Sequence, residues 1–413
     1  MKASSLRQRY WVIVTAALVF LWISAGKAKG VDEHVGRDGY IDTHNHPPHS
    51  RDCTYDDRIR DVVLAAMDRF DISMTFFMPP PMDALTLGRL LPCDFSYLAD
   101  VAARHPGRFA FLLGGESLEP MITAVVSGTA SLEATLPPFL ETAKELLRQG
   151  AIGFGELAAE HFSLHEGGHP YIHVPPDHPL LLALADLAGT YDLPIDLHME
   201  AIVGDIDPNI DPCTGDLRPP PNPPALSDNI AAFERLLRHN RGAVIVWVHA
   251  GWDNTGHRTA ALTGRLLQNH PNLYIQLRPL TRSAQKGCRN RLTNAEGQIR
   301  GQWLDLFRSF PDRFMIGLDS FYSSPVPGAD EEEFQRTRLP LSLGAGTQFV
   351  TQLYEKLPPG LARKLAYENA VRVYWLNQPL ICHKPGTRAE QTMRVDASSV
   401  NAHLDHGDSV GPC

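Results

Sequence analysis

The chain has 413 residues and 43% of them are hydrophobic, which is enough for a sizeable core in one large domain or two smaller ones. Its formal net charge at pH 7 is -9, and neither Lys nor Arg collects into the runs that bind a phosphate backbone. This composition argues against nucleic acid as a partner.

Residues 1–28 have the order of parts that is typical of a secretory signal peptide. Lys2, Arg7 and Arg9 precede an apolar stretch over residues 10–23, and small residues follow it. A membrane-spanning helix needs about 20 apolar residues, so we expect this leader to be cleaved. The mature chain would then be secreted or periplasmic, without stable membrane association. An uncleaved N-terminal anchor is the alternative.

Short apolar runs alternate with longer helix-patterned segments from residue 40 to residue 318, and this alternation is typical of a parallel α/β fold. Eight such runs favour a closed (β/α)8 TIM barrel, which we assign to residues 29–382. The predicted strands are residues 40–42, 74–78, 109–113, 152–156, 195–198, 244–249, 273–277 and 314–318. The predicted helices include residues 56–70, 132–149, 180–191, 226–239 and 298–310.

The remaining segments differ from this pattern. The connections over residues 160–179 and 200–224 are too long for plain turns, and long loops after strands carry the binding surfaces of barrels. Residues 383–413 are polar without an apolar period, which predicts a mobile tail. The six cysteines are compatible with disulfides in an exported chain or with buried thiols, and their pairing is open.

The first predicted strand leads into a His-x-His pair. Residues 40–46 read YIDTHNH, and residues two apart on a strand point to the same side, so His44 and His46 can face one ion. Such a pair is a weak signal by itself, because histidine pairs also occur in loops and turns.

Three later strands end in further candidate metal ligands: His198, His249 and Asp319. The C-terminal ends of barrel strands converge on one mouth, so these side chains should meet the His-x-His pair there. Imidazoles and carboxylates suit zinc, manganese or iron(II) in an open catalytic site. Each residue taken alone is better explained as a hydrogen-bonded side chain of the core or rim. Their coincidence favours a metal site.

On these residues the chain resembles the amidohydrolase superfamily, in its amidohydrolase-related branch (amidohydrolase family 2). The resemblance covers residues 40–376 and includes a closing helix over residues 365–374. It implies that His44 and His46 bind a first metal, that Asp319 binds it and accepts the proton of the nucleophilic water, and that His198 completes the site. His249 would polarise substrate or water in mononuclear relatives, or bind the second ion in binuclear ones.

Glu156 bears on the number of ions. It ends the fourth predicted strand, where binuclear relatives have a carbamylated lysine or a glutamate that bridges two ions. A glutamate offers the same charge and the same two oxygens as a carbamate, so the resemblance favours two ions with Glu156 between them. The alternative is a carboxylate that contacts substrate or supports a ligand.

Other polar residues lie near the expected mouth. Asp42 and Asp196 each precede a ligand histidine by two residues, so they either orient an imidazole or fill the barrel with a buried hydrogen bond. Trp252, Arg278 and Arg282 follow the sixth and seventh strands and are placed to touch substrate. An arginine there would pair with a substrate carboxylate, whereas a surface ion pair is the plainer alternative.

The resemblance implies an exported metal-dependent hydrolase whose metal-activated water attacks an amide, ester or lactone of a small-molecule substrate. Zinc is the expected metal, as one or two ions, with manganese or iron(II) as alternatives. Two other functions stay open: a mononuclear decarboxylase of the same branch, and a barrel that only binds a solute. Asp319 is followed by Ser320, Phe321 and Tyr322, where relatives often have tryptophan and proline, which leaves the substrate class open. A homo-oligomer is compatible with the sequence.

Overall fold

The computed structural model describes residues 39–48, 59–84, 97–163, 170–204, 206–207, 209–210, 215, 222–280, 290–323 and 330–413. The expected leader and Arg282 lie outside these residues. Among the described residues, no helix is long and apolar enough to cross a membrane.

Parallel strands follow one another around the barrel in chain order. β1 (Tyr40–His46) pairs with β2 (Ile72–Phe77), and β2 pairs with β3 (Phe109–Phe111). The third strand continues beyond Leu112 as β4 (Leu113–Gly114), which pairs with the fourth strand. The later strands are β5 (Phe154–His161), β7 (Pro194–Met199), β8 (Val244–Ala250), β9 (Leu273–Leu277) and β10 (Phe314–Ile316), each parallel to the one before. A short β6 (Ile172–His173) runs antiparallel to the end of β5.

The last strand returns to the first and closes the ring. Beyond β10 the chain continues as β11 (Ser320–Phe321), which pairs in parallel with the end of β1. The Thr43 hydroxyl also donates to the carbonyl of Ile316 at 2.9 Å. The predicted (β/α)8 barrel is therefore confirmed, and all eight predicted strands overlap the observed ones.

Barrel strands are buried on both faces, which is why they read as nearly continuous apolar runs in the sequence. Inside the barrel, Ile41, Phe76, Val246 and Met315 pack together, and Tyr374 of the closing helical segment packs onto them. That segment consists of consecutive helical turns, Pro359–Arg363, Lys364–Glu368 and Asn369–Val373. It covers the N-terminal end of the barrel and leaves the other end as the open mouth.

Helices pack around the strands. The predicted helix over residues 132–149 is observed as Leu132–Arg148, with the Ser131 hydroxyl accepting from the Ala134 N–H at its start. The predicted helix from residue 226 begins at Ile230, because Leu226 instead forms a bridge with Ile206. The other helices are Ile59–Leu64 with Ala65–Arg69, Tyr97–Arg104, Glu119–Val126, Pro179–Tyr191, Ala260–Asn269, Gly301–Ser309, Glu331–Lys356 and Val400–Asp405, with a 3-10 turn at Ala397–Ser399.

The prediction of a mobile tail over residues 383–413 is wrong. β12 (Leu380–His383), β13 (Gln391–Arg394) and β14 (Ser409–Val410) form an antiparallel sheet with β12 in the middle. A disulfide joins Cys382 to Cys413, and Arg394 donates to the carbonyl of Asp192, just before β7. Main-chain pairing and a covalent link thus order a polar segment that has no apolar pattern. The other four cysteines lie outside the described residues.

Candidate metal centre

Glu156 lies at the centre of a cluster of buried histidines at the C-terminal ends of the strands. Its Oε2 atom is 3.3 Å from His44 Nε2 and 3.5 Å from His46 Nε2. Its Oε1 atom is 2.9 Å from His198 Nδ1 and 2.8 Å from His249 Nε2. Each oxygen of one carboxylate therefore faces a different pair of imidazoles.

The surrounding imidazoles determine the charge of Glu156. Burial opposes ionisation of this carboxyl, but the charge of His44 and hydrogen bonds from His198 and His249 hold its pKa well below the ordinary value. Glu156 is therefore an anion ready to bind a cation.

Asp319 completes the side of the cluster formed by the His-x-His pair. Its Oδ1 atom is 3.1 Å from His46 Nε2 and 4.0 Å from His44 Nε2, and its Oδ2 atom is 3.8 Å from His249 Nδ1. Burial opposes its ionisation, but Arg278 and His249 outweigh burial and keep the pKa of this carboxyl below its ordinary value. It is a second buried carboxylate among the same histidines.

Two of these residues have a left-handed backbone. His249 has φ 66° and Asp319 has φ 51°, a region that residues other than glycine rarely adopt. Such conformations cost roughly 1–3 kcal/mol and concentrate at functional sites. In both strands the turn at the end carries the side chain into the mouth.

His198 is held from both sides by carboxylates. Glu156 contacts its Nδ1 atom, and Glu200 Oε1 lies 3.3 Å from its Nε2 atom, with Asn254 donating to the same Glu200 oxygen at 2.7 Å. Burial lowers the pKa of His198, but these two carboxylates raise it to about 9. Burial lowers the pKa of His249 to about 3. The neighbouring carboxylates thus favour the protonated form of His198, whereas burial favours the neutral form of His249.

Sequence reasoning missed Glu200, Asn254 and Phe321 as neighbours of the site. Glu200 follows His198 by two residues, so the alternation of strand side chains was a signal that both face the mouth. Phe321 stacks on His46 with ring centroids 4.2 Å apart. No sequence pattern indicates Asn254, which reaches the site from the loop after β8.

Two of the three predicted substrate residues lie beside the cluster. Arg278 Nη2 is 3.0 Å from Asp319 Oδ2, and its guanidinium lies 3.7 Å from the centre of the Trp252 ring. Its Nε and Nη1 atoms are buried and make no hydrogen bond within the described part of the chain. Arg282 lies outside the described residues, so its position stays a prediction.

Asp42 and Asp196 do not orient imidazoles. Asp42 accepts from the main-chain N–H of Leu318 at 2.9 Å, and Asp196 accepts from the Tyr374 hydroxyl at 2.7 Å. Burial raises the pKa of Asp42 to about 7 and that of Asp196 well above its ordinary value. Both fill the barrel with buried hydrogen bonds, which was the second of the two expected roles.

The donor set fits divalent metal. Within the described part of the chain, both ring nitrogens of His44 and Nδ1 of His249 are buried without a hydrogen bond, and each such atom costs about 1–3 kcal/mol unless it finds a partner. At the mouth, three sets of residues each have ligand atoms within 4.8 Å of one another: His44, His46 and Glu156; His44, His249 and Asp319; Glu156, His198 and His249. Imidazole nitrogens and carboxylate oxygens are ligands for zinc, manganese or iron(II).

A (β/α)8 barrel that gathers histidines and carboxylates at its strand ends defines a class of metal-dependent barrel enzymes. The family model described as Amidohydrolase matches residues 41–376. The chain therefore belongs to the amidohydrolase family, and it is an enzyme of the metal-dependent hydrolase class.

Comparison with other proteins gives distant matches. No curated protein matches the sequence. Solved structures that match include 4-oxalomesaconate hydratase from Rhodopseudomonas palustris, at 14% identity over 82% of this chain and 96% of that chain, with a TM-score of 0.46. N-acyl-D-glutamate deacylase from Bordetella bronchiseptica matches at 15% identity, over 82% and 75%, with a TM-score of 0.44. Organophosphorus hydrolase from Deinococcus radiodurans matches at 11% identity, over 82% and 93%, with a TM-score of 0.44. These identities are too low to transfer a substrate.

Proposed function

We propose that this chain is an exported hydrolase that uses a two-ion site to hydrolyse an amide, ester or lactone. The position of Glu156 carries the proposal, because its two oxygens face two separate pairs of imidazoles at 2.8 to 3.5 Å. A carboxylate that bridges two ions needs one free oxygen for each of them. We propose zinc as the metal, and the same ligands suit manganese or iron(II).

In this proposal different residues of the chain bind the metal ions and transfer the proton. His44 and His46 hold the first ion with Asp319, while His198 and His249 hold the second. When bound, divalent metal supplies a nucleophile at neutral pH by lowering the pKa of water toward ~7. Asp319 takes the proton of that water and passes it to the leaving group. Glu200 and Asn254 keep His198 in a fixed orientation.

The substrate we propose is a small molecule that carries an anionic group beside the scissile bond. Arg278 has two buried N–H donors, at Nε and Nη1, that find no partner among the described residues, and its guanidinium is stacked on Trp252. A guanidinium forms charge-assisted hydrogen bonds with a carboxylate. Nε and Nη1 lie on different edges of the guanidinium, so an incoming carboxylate would supply a partner for one of these donors.

We also propose that the chain is exported by the leader over residues 1–28. The order of basic, apolar and small residues supports this, and so does the disulfide between Cys382 and Cys413. Disulfides persist in oxidising compartments and are rare in the cytosol.

Counting metal ions tests the two-ion site. Elemental analysis should give about two equivalents per chain at the barrel mouth of the wild type, and Glu156→Gln should contain at least one equivalent less than the wild type, because the amide cannot bridge two cations as an anion does. Glu119→Gln is a matched control: Glu119 is also buried, accepts from the Ala158 N–H on the same strand, and is not a ligand. That variant should keep both ions.

The same proteins would be assayed for hydrolysis of amides, esters and lactones. If the mouth binds about one metal ion per chain and Glu156→Gln leaves that ratio unchanged, the site is mononuclear. Decarboxylation then becomes the reaction to assay. Metal-loaded protein that hydrolyses no member of the panel would overturn the proposed reaction.

A further inference from the structure

A second cluster of ligand-type side chains lies in the C-terminal sheet. His383 ends β12, His403 lies in the helix Val400–Asp405, and Asp408 immediately precedes β14. The Nδ1 atoms of both histidines are 2.8 Å from the same oxygen, Oδ2 of Asp408. We call these three residues the C-terminal cluster. Their ligand atoms all lie within 4.8 Å of one another.

The backbone brings these three residues together. β14 pairs antiparallel with β12, with Cys382 opposite Ser409, so His383 and Asp408 are the next cross-strand neighbours. A turn brings His403 to the same place, because the Asp408 N–H donates to the His403 carbonyl at 3.2 Å. Disulfide pairing of Cys382 fixes the strand beside His383. The cluster is thus built on paired strands and a covalent link.

The carboxylate of Asp408 is buried, and the imidazoles shield it on the outer side. Its Oδ1 atom accepts from the Lys384 N–H at 2.9 Å, so only Oδ2 faces the histidines. The side chain of Asp408 is 1% exposed, whereas those of His383 and His403 are 30% and 25% exposed. The two rings are nearly perpendicular, at 85°. Solvent reaches the cluster from one side.

We propose that the C-terminal cluster binds one zinc-type divalent ion through Nδ1 of both histidines and Oδ2 of Asp408. Two imidazoles with one carboxylate match the protein ligands of many three-ligand zinc sites, and solvent access leaves the fourth position to water. Zinc bonds of about 2.0–2.2 Å in a tetrahedron separate neighbouring donor atoms by about 3.3 Å. The two observed distances of 2.8 Å between a histidine Nδ1 and Asp408 Oδ2 would therefore have to increase by about half an ångström. Both imidazoles are partly exposed, so they can move by this amount.

Binding requires only a change of tautomer in each histidine. Without metal, each Nδ1–H donates to Asp408. With metal, the proton resides on Nε2, and the Nδ1 lone pair is the ligand.

This ion would act on the fold and not on the barrel reaction. It would link β12, the helix Val400–Asp405 and β14 next to the disulfide. The C-terminal sheet contacts the carbonyl of Asp192, which lies before the start of β7, so it covers the end of the barrel opposite the mouth. The proposal therefore does not depend on the function of the barrel site.

The test compares wild type with the double variant His383→Asn/His403→Asn. An asparagine amide still donates to Asp408, so the hydrogen bonds are kept while the imidazole ligands are lost. After equilibration with micromolar zinc, the double variant should contain one equivalent less zinc per chain than wild type. Added zinc should also raise the Tm of the wild type more than that of the variant. His406→Asn is the control, because His406 is exposed nearby and outside the cluster. Equal zinc content in wild type and double variant would overturn the proposal.

A second measurement uses the wild type alone, so it holds even where the double variant fails to fold. Diethyl pyrocarbonate modification of each histidine is followed by mass spectrometry with and without zinc. Zinc should slow modification of His383 and His403 at least tenfold and leave His406 unchanged. If zinc leaves the modification rates of His383 and His403 unchanged, as it does that of His406, the cluster is a hydrogen-bonded triad that binds no ion.

Discussion

Asp319 is fixed by main-chain contacts between the last and the first strand of the barrel. Its own N–H donates to the His44 carbonyl at 2.8 Å, and the N–H of Leu318 donates to Asp42 at 2.9 Å. These bonds hold Asp319 in its left-handed conformation and offset the strain of roughly 1–3 kcal/mol that this conformation costs. They also fix the candidate proton acceptor relative to the His-x-His pair. The two strands thus present their side chains as one unit.

Replacing Asp319 tests the role of proton acceptor. Asp319→Asn should lower kcat about 10²- to 10⁴-fold, because the amide cannot take up the proton of the attacking water. Metal content should stay close to that of the wild type, since the histidines and Glu156 remain. The measurement pairs kcat with elemental analysis. Asp312→Asn is the control, because Asp312 is an exposed acid paired with Lys364. An undiminished rate in Asp319→Asn would remove this residue from the mechanism.

Arg278 determines the preference for anionic substrates in our proposal. Arg278→Gln should raise KM for a substrate with a free carboxylate about 10- to 100-fold, in line with roughly 1.5–3 kcal/mol for a charge-assisted hydrogen bond. KM for the matched neutral amide should change little. Arg278→Lys should recover part of the affinity, because lysine keeps the charge but not the planar set of guanidinium donors. A loss of the same size on both substrates would show that Arg278 acts through Asp319 and not on the substrate.

At the level of elements, the structure separates what the sequence can predict from what it cannot. Barrel strands could be located because burial on both faces makes them apolar, as in β8 and β9. The helix Glu331–Lys356 was missed although Asp330 caps its start, acidic residues fill its first turn and its buried residues recur every three or four positions. Pro340 inside the helix interrupts the sequence pattern. The C-terminal sheet was missed because hydrogen bonds and a disulfide, and not an apolar face, hold it together.

The residues of the candidate site could be predicted only where they lie at the end of a recognisable strand. His198, His249 and Asp319 could be predicted because each ends a recognisable strand, and strand ends of a barrel meet at one mouth. The distances between them could not be predicted, because they depend on register and on the turn that follows each strand. Side chains from loops, such as Asn254, carry no periodic signal, so only the folded chain shows their place at the site.

The disulfide should carry much of the stability of the C-terminal sheet. Cys382 and Cys413 are 31 residues apart, and a cross-link over a loop of this length stabilises by about 3–4 kcal/mol in the chain-entropy model. Cys382→Ser/Cys413→Ser should lower the free energy of unfolding by that amount. Urea unfolding of the metal-free wild type and the metal-free double variant, both without reductant, measures this difference. Equal free energies of unfolding would mean that the covalent link adds nothing beyond the strand pairing.

On the scale of the whole molecule, the barrel has two ends with different roles. The C-terminal ends of the strands form the mouth with Glu156 and its histidines. The N-terminal end is covered by the closing helical turns, where Tyr374 reaches Asp196 inside the barrel, and by the disulfide-linked sheet. Loops at the mouth can therefore determine substrate specificity, while the other end of the barrel stabilises the fold.

Export is the prediction that concerns the whole chain. When the full-length chain is expressed in a host with a secretory pathway, the mature protein should begin near residue 29 and contain the oxidised pair Cys382 and Cys413. N-terminal sequencing and mass spectrometry of the secreted or periplasmic fraction measure both. A chain that starts at residue 29 is the control; it should remain in the cytosol with both thiols reduced, because disulfides are rarely kept there. An intact chain in the membrane fraction would indicate an uncleaved anchor. Intact protein confined to the cytosol would contradict export altogether.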